Sequence, residues 1–152
     1  MTRNHAVITG RDRPDVVATP IDALREHYHA INHRDLAVLR ASWLDSDEVS
    51  MRDPVGGIQR GWAAVAAEYE RIFGGTAQVH VELHEFTIHE HGDVFWAVGS
   101  ERGWFKAGDT RLDLAIRRTR VFRRVGGRWR QVHDHGSIEI PELLARYQAA
   151  VR

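Results

Sequence analysis

RRTRVFRRVGGRWRQVHDHGSIEI, residues 117–140, reads as two β-strands folded about Gly126-Gly127. β-Branched and aromatic residues populate both arms, and paired glycines accept the positive φ of a two-residue hairpin turn. Counting outward from that turn predicts Phe122 opposite Gln131, Arg120 opposite His133 and Arg118 opposite His135 on one face. Val121 opposite Val132 and Thr119 opposite Asp134 fall on the other. One face then carries two arginines and two histidines. Cations set directly opposite one another do not stabilise a sheet, so that face is either a solvated basic edge or the lining of a cavity that holds something anionic.

Outward from this hairpin the strand pattern continues upstream. Gly108-Asp109 marks a turn, and carrying the count through it puts Glu101, Phe105, Leu112, Leu114 and Ile116 on the face of Arg118 and Arg120. His91-Gly92-Asp93 is a further turn. The segment AQVHVELHEFTIHE alternates but slips phase between Leu83 and Phe86, which predicts a bulge in a long curved strand. Before it, Gly61 opens an alanine-rich helix that ends at Gly74-Gly75. VSMRDPVGG reads as a short strand stopped by Pro54, and Asp35 as the cap of a short helix with Leu36, Leu39, Trp43 and Leu44 on its buried side. Thr19-Pro20, with Asp22 in the first turn, starts a helix whose apolar stripe is Ile21, Leu24, Tyr28 and Ile31. Pro141 begins a terminal helix. Residues 1–18 mix Arg, Asp, Gly and Pro without a period and are expected to form a flexible arm, leaving 19–152 as one domain. Helices first and a strand meander after is the segregated order of an α+β domain, with a long curved antiparallel sheet wrapped against its helices into a cone whose mouth suits a small ligand.

The bulk numbers agree with one globular unit. A chain of 152 residues buries about two-thirds of its unfolded surface in a single core. With 21 basic and 21 acidic residues there is no overall field to recruit nucleic acid, so no nucleic-acid partner is expected. The chain has no cysteine, hence no thiol nucleophile and no disulfide framework. No segment has the apolar length of a signal peptide or a membrane span, and the expectation is a cytoplasmic protein with no membrane partner. Histidine is abundant, but His89 and His91 span a turn, and His27 and His29 face apart on a helix. No metal and no cofactor is expected.

Two motifs carry a resemblance. The run MRDPVGGIQRGWAAVAAEYERIF resembles the stretch of bacterial ketosteroid isomerases that contains the catalytic aspartate, with Asp-Pro-Val-Gly ahead of a Gly-started helix. The run RTRVFRRVGGRWRQVHDHGS resembles the association (hub) domain of calcium/calmodulin-dependent protein kinase II. Both families belong to the nuclear transport factor 2-like, or SnoaL-like, superfamily, and the resemblance covers roughly residues 20 to 140. It implies that Asp53 stands where the isomerases keep their general base, a carboxylate that moves a proton at the carbon beside a ketone. The isomerases' oxyanion-donating tyrosine falls near His27 with Tyr28 as its neighbour, and their protonated acid falls near Arg118. From the hub likeness, Arg120 matches an arginine that points into a pocket, with His133 or His135 beside it.

The expected catalytic set is therefore Asp53, Arg120 and His133, with Tyr28, His27, Trp43, Glu101, Arg118 and His135 contacting a small apolar or anionic molecule. The implied reactions are isomerase, lyase or cyclase chemistry by general acid and base. The competing expectation is a non-catalytic ligand-binding or oligomerisation module. Asp53 separates the two: a base is free of Arg120, whereas a binder can have them locked together. Other plain readings remain open, with Asp53 as an Asp-Pro turn residue, Arg120 paired to Glu101 or Asp53, and the histidines bonded within the sheet. Val79, Val81, Val98, Val121 and Val132 count onto the outer sheet face, which predicts a homodimer through that face.

Overall fold

The computed structural model describes residues 2–4 and 6–151. Its chain order is β1 (Thr2–Asn4), α1 (Pro20–Asn32), α2 (Leu36–Ser42), β2 (Ser50–Arg52), β3 (Gln59–Arg60), α3 (Trp62–Gly74), β4 (Gln78–His91), β5 (Val94–Ala107), β6 (Thr110–Val125), β7 (Arg128–Ser137) and α4 (Pro141–Val151). The strands form one curved, open sheet in the order β1-β4-β5-β6-β7-β2-β3. All neighbours are antiparallel except β2, which lies parallel to β7. The helices pack on one side of it, giving the α+β arrangement expected from the order of elements.

The helix starts follow their caps. Thr19 Oγ1 accepts from the Asp22 amide at 3.2 Å while the Asp22 carboxylate accepts from the Thr19 amide at 3.1 Å, a reciprocal capping box ahead of Pro20. Asp35 Oδ1 accepts from the Val38 amide at 3.1 Å and starts α2. The β6–β7 turn at Gly126-Gly127 has φ of 59° and 78°, the pair of positive values a hairpin of this kind requires.

Two bulges give the sheet its curvature and fix what faces inward. In β4 the register to β5 shifts between His84 and Thr87, where Glu85 adopts φ 49°, so the predicted phase slip is a real irregularity. A second shift lies between Val121 and Phe122 of β6: Phe122 faces Gln131, but Val121 faces His133, leaving Val132 as the extra residue. Arg120 therefore faces Asp134 and Arg118 faces Gly136, in place of the two histidines that an unbroken count assigns. A third local device is Gly103, where any Cβ would collide with the backbone carbonyl of His80, so β4 can close on β5 only over a glycine.

The inner face and α1 enclose the main core. Leu24, Tyr28, Leu83, Phe86, Phe95, Phe122 and Trp129 are all within 1% of complete burial. Phe95 stacks on Phe122 with ring centroids 4.6 Å apart, and Trp129 meets Phe95 edge-on at 4.9 Å. A second cluster of Val38, Leu39, Trp43, Met51, Val65 and Tyr69 joins α2, α3 and β2.

Described parts of the segment expected to be a flexible arm are docked. β1 pairs with β4, Ile8 exchanges two backbone hydrogen bonds with Leu83 at 3.0 Å each, and both Ile8 and Val17 are buried. The bulge in β4 also redirects two of the outer-face valines: Val79 and Val81 pair with Phe105 and Gly103 on the inner face and line the interior. The outer face presents Trp96 and Val98, exposed by 37% and 43%, with His89 stacked on Trp96 at 5.1 Å. Among the described residues, no helix is long and apolar enough to cross a membrane.

Candidate active site

Alternation along β5 and β6 turns Glu101, Arg118 and Arg120 into the interior together, and the β7 bulge adds Asp134. Asp53 arrives from a different direction. The parallel β2 strand sets Met51 beside Asp134, and the Asp-Pro turn that follows, closed by the Gly56 amide on the Asp53 carbonyl at 3.1 Å, brings the Asp53 side chain to Arg118. Two arginines and three carboxylates thus converge.

Arg118 grips Glu101 with two donors, Nε at 3.1 Å and Nη2 at 2.9 Å, and its Nη1 donates to Asp53 Oδ1 at 3.2 Å. Arg120 donates to Glu101 Oε2 at 3.1 Å, Asp134 Oδ2 at 2.9 Å, Gln131 Oε1 at 2.9 Å and the Tyr28 hydroxyl oxygen at 3.2 Å. Tyr28 in turn donates to Glu101 Oε2 at 2.6 Å, and the Arg120 guanidinium lies 5.0 Å over its ring. Gly136 makes room for this arrangement: a Cβ there would lie 2.7 Å from the Arg118 guanidinium carbon. Asp134 Oδ1, buried and 3.8 Å from Arg118 Nη1, receives no hydrogen bond among the described residues.

Charge pairing splits the two fully buried acids. Burial alone would raise Glu101, but the two guanidinium groups and the hydrogen bonds from Arg118 and Tyr28 outweigh it and hold the carboxyl down to about 2. Asp134 goes the other way, to about 6: burial exceeds the pull of Arg118 and Arg120, and the nearby Asp53 and Glu101 charges add to the rise. Its carboxyl therefore changes protonation close to neutrality. The Tyr69 hydroxyl is raised by burial and by the Asp134 and Asp53 carboxylates, and Tyr147 by burial and Asp53, so both remain protonated donors.

These groups form the polar end of a cavity of about 430 Å³. Most of the remaining lining is apolar, with Val79, Val81, Phe105, Leu114 and Ile116 of the sheet, Ile72 and Phe73 of α3, and Ala150 and Val151 of α4, and it also includes Gln78 and the mutually paired Glu68 and Arg71 of α3. Tyr147 of α4 sits edge-on to Phe105 at 5.6 Å, and Gln148 donates to the Pro54 carbonyl at 3.2 Å, tying the terminal helix across the chamber. A carboxyl titrating near neutrality at the closed end of an apolar chamber can pass a proton to and from a bound molecule.

Of the residues singled out from sequence, Asp53, Glu101, Arg118 and Arg120 line this cavity. Tyr28 stands behind them, orienting Glu101 and Arg120. Neither His133 nor His135 is there, because the β7 bulge turns both to the outer face. His133 Nδ1 lies 2.7 Å from Ser50 Oγ, and His135 borders a shallow outer groove with Arg117 and Val98. His27 is completely buried, with Gln131 Nε2 3.1 Å from its Nδ1; burial and then Arg120 and Arg118 push it well below its usual range, leaving a neutral ring that does not line the cavity. Trp43 is a core residue against Trp62 and Tyr69. Asp53 is held by Arg118 at 3.2 Å, and its anticipated pairing with Arg120 is taken up by Glu101 and Asp134. The sequence reading missed Asp134, Tyr69 and Tyr147. Asp134 was legible only to a count that allowed an extra residue at Val132, and Tyr69 through its place one helical turn beyond Val65 on the buried side of α3.

The fold has counterparts among solved structures. A structure from Thiobacillus denitrificans, named for a calcium/calmodulin-dependent protein kinase type II association domain, is 28% identical with a TM-score of 0.69, covering 82% of this chain and 98% of that one. A nuclear transport factor 2-like protein of unknown function from Pseudomonas putida is 27% identical with a TM-score of 0.65, covering 76% and 80% of the two chains. A structure from Shewanella frigidimarina named for a ketosteroid isomerase shares the fold at 18% identity and a TM-score of 0.65, over 81% and 96% of the two chains. Among curated proteins, none matches the chain. The model of the SnoaL-like domain matches residues 21–141, from the first turn of α1 to the start of α4, and the chain belongs to that family.

Proposed function

We propose that the chain binds a small, largely apolar carbonyl compound in the cavity and moves a proton at the carbon beside that carbonyl, the step shared by isomerases, lyases and cyclases of this type. The observation that carries the proposal is Asp134: a buried carboxyl at the closed end of the cavity, one oxygen without a hydrogen bond, titrating near neutrality beside a second carboxylate. Two acids in unlike surroundings divide the work. Asp134 in its protonated form donates to the carbonyl oxygen, while Asp53, whose side chain is 21% exposed and lies at the cavity wall, takes the proton from carbon. Return of that proton at the same or a conjugated carbon restores both acids. Arg118, with Nη1 directed to Asp53 and 3.8 Å from Asp134, ties the two carboxyls together. Arg120 and Glu101 keep Asp134 and Arg118 oriented.

The second reading is a non-catalytic binder, and the Arg118–Asp53 bond is the observation that favours it, since a base engaged by a guanidinium is a weaker one. The kinship with a structure named for an association domain points the same way. Proton exchange separates them. In heavy water, a panel of cyclic ketones followed by NMR is expected to take up deuterium beside the carbonyl faster with the wild type, and Asp134→Asn and Asp53→Asn are each expected to slow that uptake by about 10²-fold or more. Resonance shifts on ligand addition with no exchange in any variant would establish the binder instead.

A further inference from the structure

The polar end of the cavity has spent its positive charge. Arg118 and Arg120 together make seven hydrogen bonds, to Glu101, Asp53, Asp134, Tyr28 and Gln131. Against these two cations stand three carboxylates, two of them buried, and the Arg71–Glu68 pair that also lines the cavity cancels itself, so the lining in its ionised form carries one excess negative charge. Asp134 lines the chamber, and its Oδ1 is a buried acceptor without a hydrogen-bond partner among the described residues. The hydroxyls of Tyr69 and Tyr147, on the facing helices, belong to neutral groups.

A carboxylate entering this end would meet arginines already paired and would lie against Asp53 and Asp134. To reach Arg118 it would have to displace Asp53 and leave a third acid uncompensated, and like charges at such separations repel in a partly desolvated site. An uncharged oxygen meets no such obstacle. A hydroxyl donates to Asp134 Oδ1, and a ketone accepts from the same oxygen when Asp134 holds its proton.

We infer that the cavity selects apolar molecules ending in an uncharged oxygen, a ketone or hydroxyl, and rejects their carboxylates, with Asp134 as the residue that sets this preference. The arginine-lined face read from sequence as an anion site is thereby reassigned as a site for neutral ligands. The inference rests on the proposed small-molecule reading of the same cavity and narrows it to a substrate class.

The test uses three probes that share one apolar body: 2-naphthol, 2-acetonaphthone and 2-naphthoate, titrated calorimetrically against the full chain at mildly alkaline pH. 2-Naphthol is expected to bind at least about tenfold more tightly than the naphthoate, and 2-acetonaphthone to gain affinity as the pH is lowered and Asp134 takes up its proton. Asp134→Asn removes one negative charge without changing the side chain's size and is expected to bring the naphthoate to near parity. Leu114→Trp, which fills the chamber, should abolish binding of all three while far-ultraviolet circular dichroism reports an intact fold. Naphthoate binding as tight as naphthol, or an unchanged ratio in Asp134→Asn, overturns the inference while leaving the proton-transfer reading to the deuterium experiment. Failure of every probe to bind overturns both.

Discussion

Asp134 and Glu101 show how two acids on the same pair of arginines come to behave oppositely. Glu101 receives four hydrogen bonds, from Tyr28, Arg120 and twice from Arg118, and its ionised form is the stable one. Among the described residues, Asp134 receives one, from Arg120, and its other oxygen has no hydrogen-bond partner. Glu101→Gln is therefore expected to lower stability by about 3–5 kcal/mol, the cost of leaving two buried guanidinium groups short of a partner. Asp134→Asn should cost only about 1 kcal/mol, because an amide oxygen can still accept from Arg120. The pH dependences run in opposite directions. Glu101 is held down to about 2 from an ordinary 4.5, so its contribution is present above 4.5 and is lost as the pH falls toward 2. Asp134 is raised to about 6 from 3.8, so its contribution is present below 3.8 and is lost as the pH rises through 6. Urea unfolding between pH 4 and 7 should thus show wild type losing ground to Asp134→Asn as the pH rises; parallel curves would contradict the assignment.

At the scale of elements, much of the architecture follows from local chemistry that can be read without coordinates. Thr19-Pro20 with Asp22, Asp35, Gly61, Gly92, Gly108 and Gly126-Gly127 each dictate a start or a turn, and each element begins or ends there. The β4 bulge announced itself because its inward side chains are apolar on both sides of the slip, so a break in phase is visible. The β7 bulge left no such mark. His-Asp-His is polar at every position, and shifting it by one residue changes no hydrophobic count while exchanging two histidines for an aspartate at the site. That single extra residue at Val132 accounts for the reassignment of His133, His135 and Asp134. Glu101, Arg118 and Arg120 were legible because their register runs back through the Gly108 turn without interruption. Tyr69 and Tyr147 come to the site from α3 and α4, whose placement over the sheet is a matter of tertiary packing that strand counting does not reach.

For the molecule as a whole, the curved sheet separates an inner face devoted to the cavity from an outer one bearing Trp96, Val98 and a row of histidines. The expected homodimer would use this outer face, with the contact centred on Trp96 and Val98, since Val79 and Val81 are turned inward. Light scattering at micromolar concentration should give about twice the mass of one chain, and Trp96→Glu should return it to one; a monomeric wild type would sink that assembly. Every group described at the polar end of the cavity belongs to this one chain. The function proposed here stands on one property of one group, a carboxyl at that closed end that exchanges its proton near neutrality. The direct measurement is a carboxyl carbon NMR titration of Asp134, in the wild type and in Asp53→Asn. The expected midpoint is about 6 in the wild type, and it should fall when the neighbouring Asp53 charge is removed. A midpoint at or below the ordinary aspartate value, unmoved by Asp53→Asn, would contradict the account.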